Sequence, residues 1–101
     1  MYVYNITTKV DIDIADEWTH WQKQTHIPEI INAGFFYDYR FYELLEQDDV
    51  EGKTFVVQYF ARELKDCKEY IRNHAPLLRE KAFNKWGNQF ISFRTLLKSV
   101  N

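Results

Sequence analysis

The segment Thr25-His26-Ile27-Pro28-Glu29-Ile30 returns 48 residues later as Asn73-His74-Ala75-Pro76-Leu77-Leu78. In each copy a residue able to cap a helix precedes His, one further residue and Pro. Proline removes a backbone donor and disfavours α geometry in the residue before it. Each copy therefore marks an interrupted helix, and the constant offset predicts two similar halves related by a pseudo-twofold.

Working outward from the first copy, Ile14, Trp18, Trp21 and Thr25 follow a helical period, with Asp16 and Glu17 suited to its N-terminus. Pro28 predicts a kink or a fresh start at Ile27, after which Ile30 and Ile31 face inward and Gly34 stops the helix. Residues 2–10 before it alternate as a strand, and the aromatic-rich residues 35–45 after it read as a second. An acidic connection over residues 46–52 leads to a third strand at 53–61, completing a hairpin with a long loop. Around the second copy, a helix starting near Glu63 places Leu64, Cys67, Ile71 and His74 along one side, is interrupted at Pro76, and resumes over residues 77–86 until Gly87. Residues 88–99 alternate again as a fourth strand. The order is βαββαβ, the split βαβ pattern of the ferredoxin-like α+β fold. It predicts a four-stranded antiparallel sheet with helices on one face, and residues 1–101 as one domain, since no linker or low-complexity segment interrupts them.

Sorting strand residues by parity, with no bulge assumed, gives two unlike faces. Tyr4, Ile6, Tyr37, Tyr39, Phe41, Phe55, Val57, Tyr59, Ile91 and Phe93 form an apolar one, expected under the helices. Asn5, Thr7, Asp38, Arg40, Tyr42, Val56, Gln58, Phe60, Ser92, Arg94 and Leu96 form a mixed one. A second copy of the chain packed on the mixed face would bury its aromatics and pair its charges, which is the geometry of a dimeric α/β barrel. That interface is either a structural polar network or a partly polar cavity holding a ligand.

Composition narrows the partners. Thirteen basic against fifteen acidic residues give a net charge of −2, with no dense run of Lys and Arg, so nucleic acid is not expected. The N-terminus lacks a basic and then apolar leader, and no apolar run nears the roughly 20 residues that span a bilayer, so a cytoplasmic protein without membrane attachment is expected. At this length roughly 60–65% of the unfolded surface is buried on folding. The 18% aromatic content suits a compact body with a sizeable interface, hence a homodimer.

Chemistry is less legible. Cys67 is the only cysteine, so neither an intrachain disulfide nor a cysteine zinc site can form. No metal-ligand spacing, phosphate-cradling loop or nucleophile elbow occurs, and neither a metal nor another cofactor is expected. His26 and His74, at equivalent helix breaks, are candidate acid–base groups. Their plainer role is to hydrogen-bond a carbonyl freed at the break. Arg40 and Arg94 are candidates to steady an oxyanion. Trp18 and Trp21 are candidate pocket walls, or simply core; Asn5, Gln58 and Tyr42 are candidate ligand contacts on the mixed face.

The pattern also resembles a bacterial family of unknown function placed with the dimeric α/β-barrel proteins. The residues that carry the likeness are Tyr4-Asn5-Ile6-Thr7, Trp18 and Trp21 before His26-Ile27-Pro28-Glu29, Gly34-Phe35, Val57-Gln58-Tyr59, Tyr70 before His74-Ala75-Pro76, and Phe90 with Phe93-Arg94-Thr95. The likeness spans nearly the whole chain and implies the ferredoxin-like fold and a dimer. Related barrels include heme-degrading and cofactor-free monooxygenases, isomerases and dehydratases that use the space between helices and sheet; this is analogy of fold and assigns no reaction. Three functions stay open: a homodimer that binds a small aromatic or polar organic ligand, a cofactor-independent enzyme using His26 or His74, and an interaction scaffold.

Overall fold

A computed structural model describes residues 1–101. Four strands, β1 (Tyr2–Asp11), β2 (Asp38–Glu43), β3 (Gly52–Ala61) and β4 (Phe90–Lys98), form one antiparallel sheet in the order β2-β3-β1-β4. β1 and β3, the two long alternating runs, pair along their full length in the centre, and β2 and β4 are the edges. The helical segments are a 3₁₀ turn Ile12–Ile14, α1 (Ala15–Trp21), a π-helical turn Gln22–His26, α2 (Ile27–Asn32), α3 (Leu64–Asn73) and α4 (Ala75–Trp86). This is the expected βαββαβ order in a ferredoxin-like α+β fold.

The two proline breaks are solved differently. At the first, the expected departure from α geometry at Ile27 does not occur: φ is −61° and ψ −47°. The preceding turn widens instead, and the Ile27 N–H reaches back five residues to the Gln22 carbonyl. Shifting the pairing by one residue makes room for the Pro28 ring, so α1 and α2 run on as one helix. At the second, His74 leaves helical geometry at φ −122° and α4 restarts at Ala75-Pro76. Neither Thr25 nor Asn73 acts as the expected cap: His26 and His74 hold the capping positions, without side-chain cap bonds.

β2 is shorter than the expected 35–45. Gly34, at φ 92°, ends the helix, and Phe36 then dives into the core rather than extending the strand. Its ring stacks 6.0 Å from Tyr4 and lies 5.1 Å from Tyr70. Tyr37 also lies outside the strand, with the Arg62 guanidinium 4.7 Å above its ring. Burying Phe36 among three tyrosines recovers more apolar area than two further residues of edge pairing would.

The core has two clusters on the helix side of the sheet. One gathers Tyr4, Ile27, Ile30, Phe36, Val57, Tyr59 and Tyr70; the other Val10, Ile14, Trp18, Phe55 and Trp86. In the second, Trp18 lies 5.3 Å from Phe55 and 6.2 Å from Phe41.

Register corrects one assignment. β4 pairs with β1 as Tyr4–Leu96, Ile6–Arg94 and Thr8–Ser92. Ser92, Arg94 and Leu96 therefore share the helix side with Tyr4 and Ile6, while Ile91 and Phe93 lie on the open side, the reverse of the expectation. Apolarity alone does not fix which side of the sheet each β4 residue takes; register with β1 does. The helices leave part of this edge strand uncovered by core, so its helix side is polar and its open side apolar. Across the four strands the open face carries a row Asp38, Phe60, Val3, Leu97, a row Arg40, Gln58, Asn5, Thr95, and a row Tyr42, Val56, Thr7, Phe93.

Candidate functional site

Between the helices and the β1–β4 half of the sheet lies a cavity of about 240 Å³. Its floor is Ile6, Thr8, Val57 and Tyr59 with Phe90, Ser92 and Arg94 of β4; its walls are Trp18, Gln22 and His26 on one side and Arg79, Ala82 and Phe83 of α4 on the other. The wall residues follow helical spacing. Trp18, Gln22 and His26 stand four apart, as do Arg79 and Phe83, so each helix turns one stripe toward the cavity.

His26 is the titratable group most changed by this environment. Burial lowers its pKa from 6.5 to about 4, with Glu29 acting against the shift and Arg94 and Lys81 adding to it. The imidazole is therefore neutral at pH 7 and presents one donor and one acceptor. Trp21 backs it, the rings stacked 4.5 Å apart at 24°, and Trp21 in turn meets Trp86 edge-on at 5.8 Å. The Lys81–Glu29 ion pair, 2.9 Å, ties α4 to α2 beside it. On the floor the buried Thr8 hydroxyl bonds the Ser92 hydroxyl at 2.8 Å. Gln22 is also buried, which places an amide on the wall.

Of the residues singled out from sequence, Trp18, His26 and Arg94 line the cavity. Trp21 supports His26 from behind and faces a shallow surface cleft with Asp16, Glu17 and His20. His74 lies elsewhere, its ring 5.0 Å from Phe35 and stacked 6.1 Å from Tyr70. Its break thus repeats the aromatic backing of His26 without a cavity. Arg40, Asn5, Gln58 and Tyr42 sit on the open face. There Arg40 pairs with Asp38 at 2.8 Å, the Gln58 amide donates to the Asn5 carbonyl oxygen at 3.3 Å, and Asn5 donates to Thr95 at 3.3 Å. The Tyr39 backbone N–H, and then Arg40, hold the Asp38 carboxyl below its usual range.

Thr8, Gln22, Arg79, Phe83 and Ser92 were not singled out. The four-residue spacing of Trp18, Gln22 and His26 was a usable signal for Gln22. Nothing in the sequence marks Arg79 or Ser92, because their convergence depends on the β4 register and on α4 crossing above it. No cluster of three His, Cys, Asp or Glu side chains could hold a metal ion, and no helix is long and apolar enough to cross a membrane.

Topology and strand pairing define a ferredoxin-like α+β domain. The chain belongs to the DUF4286 family, a domain of unknown function, whose profile matches residues 1–100. None of the curated proteins matches it in sequence. Among solved structures it is similar to a Nitrosomonas europaea protein provisionally described as an antibiotic biosynthesis monooxygenase, with 13% identity, 100% of both chains covered and a TM-score of 0.69. It is also similar to a dimeric ferredoxin-like protein from an uncultured marine organism, with 10% identity over 99% of this chain and 95% of that one and a TM-score of 0.69. A third similar structure is a variant of SnoaB, a cofactor-independent oxygenase from Streptomyces nogalater, with 11% identity over 99% and 94% and a TM-score of 0.61. At such identities the likeness establishes the fold.

Proposed function

We propose that this protein is a cytosolic homodimer that binds a small organic molecule in the cavity between its helices and sheet. The observation that carries the reading is the convergence of a neutral histidine, two arginines, a buried amide and a hydroxyl pair on one cavity of mixed apolar and polar lining. Binding sites are commonly apolar concavities with a few polar groups that fix orientation. The dimer reading rests on the open face, where Phe93 is 64% and Ile91 55% exposed and Tyr42 and Leu97, elsewhere on the same face, are exposed too. A second copy laid on these rows would remove them from water and leave the Arg40-Gln58-Asn5-Thr95 row to match its twin.

The test is a thermal-shift screen of aromatic and carbonyl-containing small molecules against the protein and Ala82→Phe. A ligand at a hundred times its Kd stabilises by about 2.7 kcal/mol. Hits are expected for the native chain, and the Phe side chain, by filling the cavity, abolishes them. Hits that persist in Ala82→Phe would refute the cavity as their site.

The second reading, a cofactor-independent enzyme, is favoured by the placement of His26 and Arg94 on the same cavity. In this role His26, uncharged, accepts the hydrogen bond of a bound phenol or enol hydroxyl and orients it, and Arg94 on the floor steadies negative charge developing on that oxygen. The SnoaB likeness is compatible with that chemistry without assigning it. A ligand that is turned over by the native chain, and bound unchanged by His26→Gln, is the expected signature; equal turnover by both would remove His26 from the reaction.

A further inference from the structure

Arg79 on α4 and Arg94 on β4 reach the cavity from its helix wall and its sheet floor. They also share the smaller groove beside it with Tyr4, Ile71 and Leu96. Neither is ion-paired: the ion pairs of the molecule are Arg40–Asp38, Lys65–Glu63 and Lys81–Glu29. No Asp or Glu lines the cavity, although the chain as a whole carries a net charge of −2. Two guanidinium groups on one cavity lining with no carboxylate among them repel each other, and an anion placed between them offsets that cost. Ile6, Trp18, Val57 and Phe90 give the cavity its apolar part, and its other polar groups, Thr8, Gln22, His26, Tyr59 and Ser92, are uncharged. The volume, about 240 Å³, exceeds the roughly 150 Å³ that holds benzene in an apolar cavity and falls short of the roughly 300–1,000 Å³ of drug-sized sites.

We infer that the ligand of this cavity is a small monocyclic aromatic carboxylate, its carboxylate held between Arg79 and Arg94 and its ring against Trp18, Ile6 and Val57. The inference rests on the proposal that the cavity is a ligand site, and adds the charge and size of what it takes. Gln22 and His26 also line the cavity and can supply hydrogen bonds to a ring hydroxyl. Two guanidinium groups suit a carboxylate because each presents a planar fork of donors.

Titration calorimetry of the intact protein compares benzoate and 4-hydroxybenzoate with their neutral amides, while NMR follows the Trp18 indole and the His26 ring. Benzoate is expected to bind about 10–100-fold tighter than benzamide, the range for charge-assisted hydrogen bonds. Arg94→Gln and Arg79→Gln should each weaken benzoate about 10-fold and leave benzamide within about twofold, with Arg94→Lys recovering part of the loss. Both arginines are exposed and unpaired, so these variants keep the fold. If amide and acid bind alike while Trp18 and His26 still respond, the anion inference falls and the cavity reading stands. If no probe perturbs Trp18 or His26 at millimolar concentration, both fall.

Discussion

His26 makes the stability of this protein depend on pH in a calculable way. Its pKa falls from 6.5 to about 4 on folding, because burial disfavours the imidazolium and Arg94 and Lys81 oppose it. Between those values the unfolded chain holds a proton that the folded chain does not, so stability rises with pH across this window and is lost as pH falls. At about 1.4 kcal/mol for each factor of ten in proton affinity, the full effect below pH 4 is about 3 kcal/mol. From pH 7 to pH 5 the same two values give a loss of about 2 kcal/mol. Urea unfolding at fixed protein concentration reads this directly. With a slope of about 1–2 kcal/mol per molar, the midpoint should drop by about 1–2 M. His26→Gln keeps a donor and an acceptor but cannot titrate, so its loss over the same interval should be smaller by about 2 kcal/mol. Parallel losses in the two proteins, or an NMR titration of His26 centred near 6.5, would refute the reasoning.

Trp18→Ala, which empties the space between Phe41 and Phe55, should cost about 3–5 kcal/mol in denaturant unfolding; a loss below about 1 kcal/mol would mean that the ring is not clamped there. Ser92→Ala should cost about 1–3 kcal/mol by stranding the buried Thr8 hydroxyl, and the double variant with Thr8→Val should cost less than the sum of the single changes, a coupling read by a double-mutant cycle. Phe93→Asp, on the open face, should convert the proposed dimer to a monomer in sedimentation analysis with the circular dichroism of the fold retained; an unchanged sedimentation coefficient would refute an interface on this face.

The order of elements was legible in sequence because periods of two and of about four are written in side-chain polarity, and because Gly34, Gly87 and Pro76 punctuate the chain through their own backbone limits. The paired His-any-Pro segments likewise mark both interruptions of the helices, at His26 and at His74. What sequence left undecided was everything set by distance in space. The π turn carries the helix past Pro28 and keeps Ile27 and Ile30 buried, a solution that the local preferences of proline do not specify. The face of β4 turned on its register with β1, and a one-residue difference in parity exchanges Arg94 for Phe93 beneath the helices. That exchange decides whether Arg94 faces a partner or a cavity, and only packing chose: α4 brought Arg79 above the same spot, His26 and Gln22 closed the opposite wall, and four polar side chains scattered along the chain became neighbours.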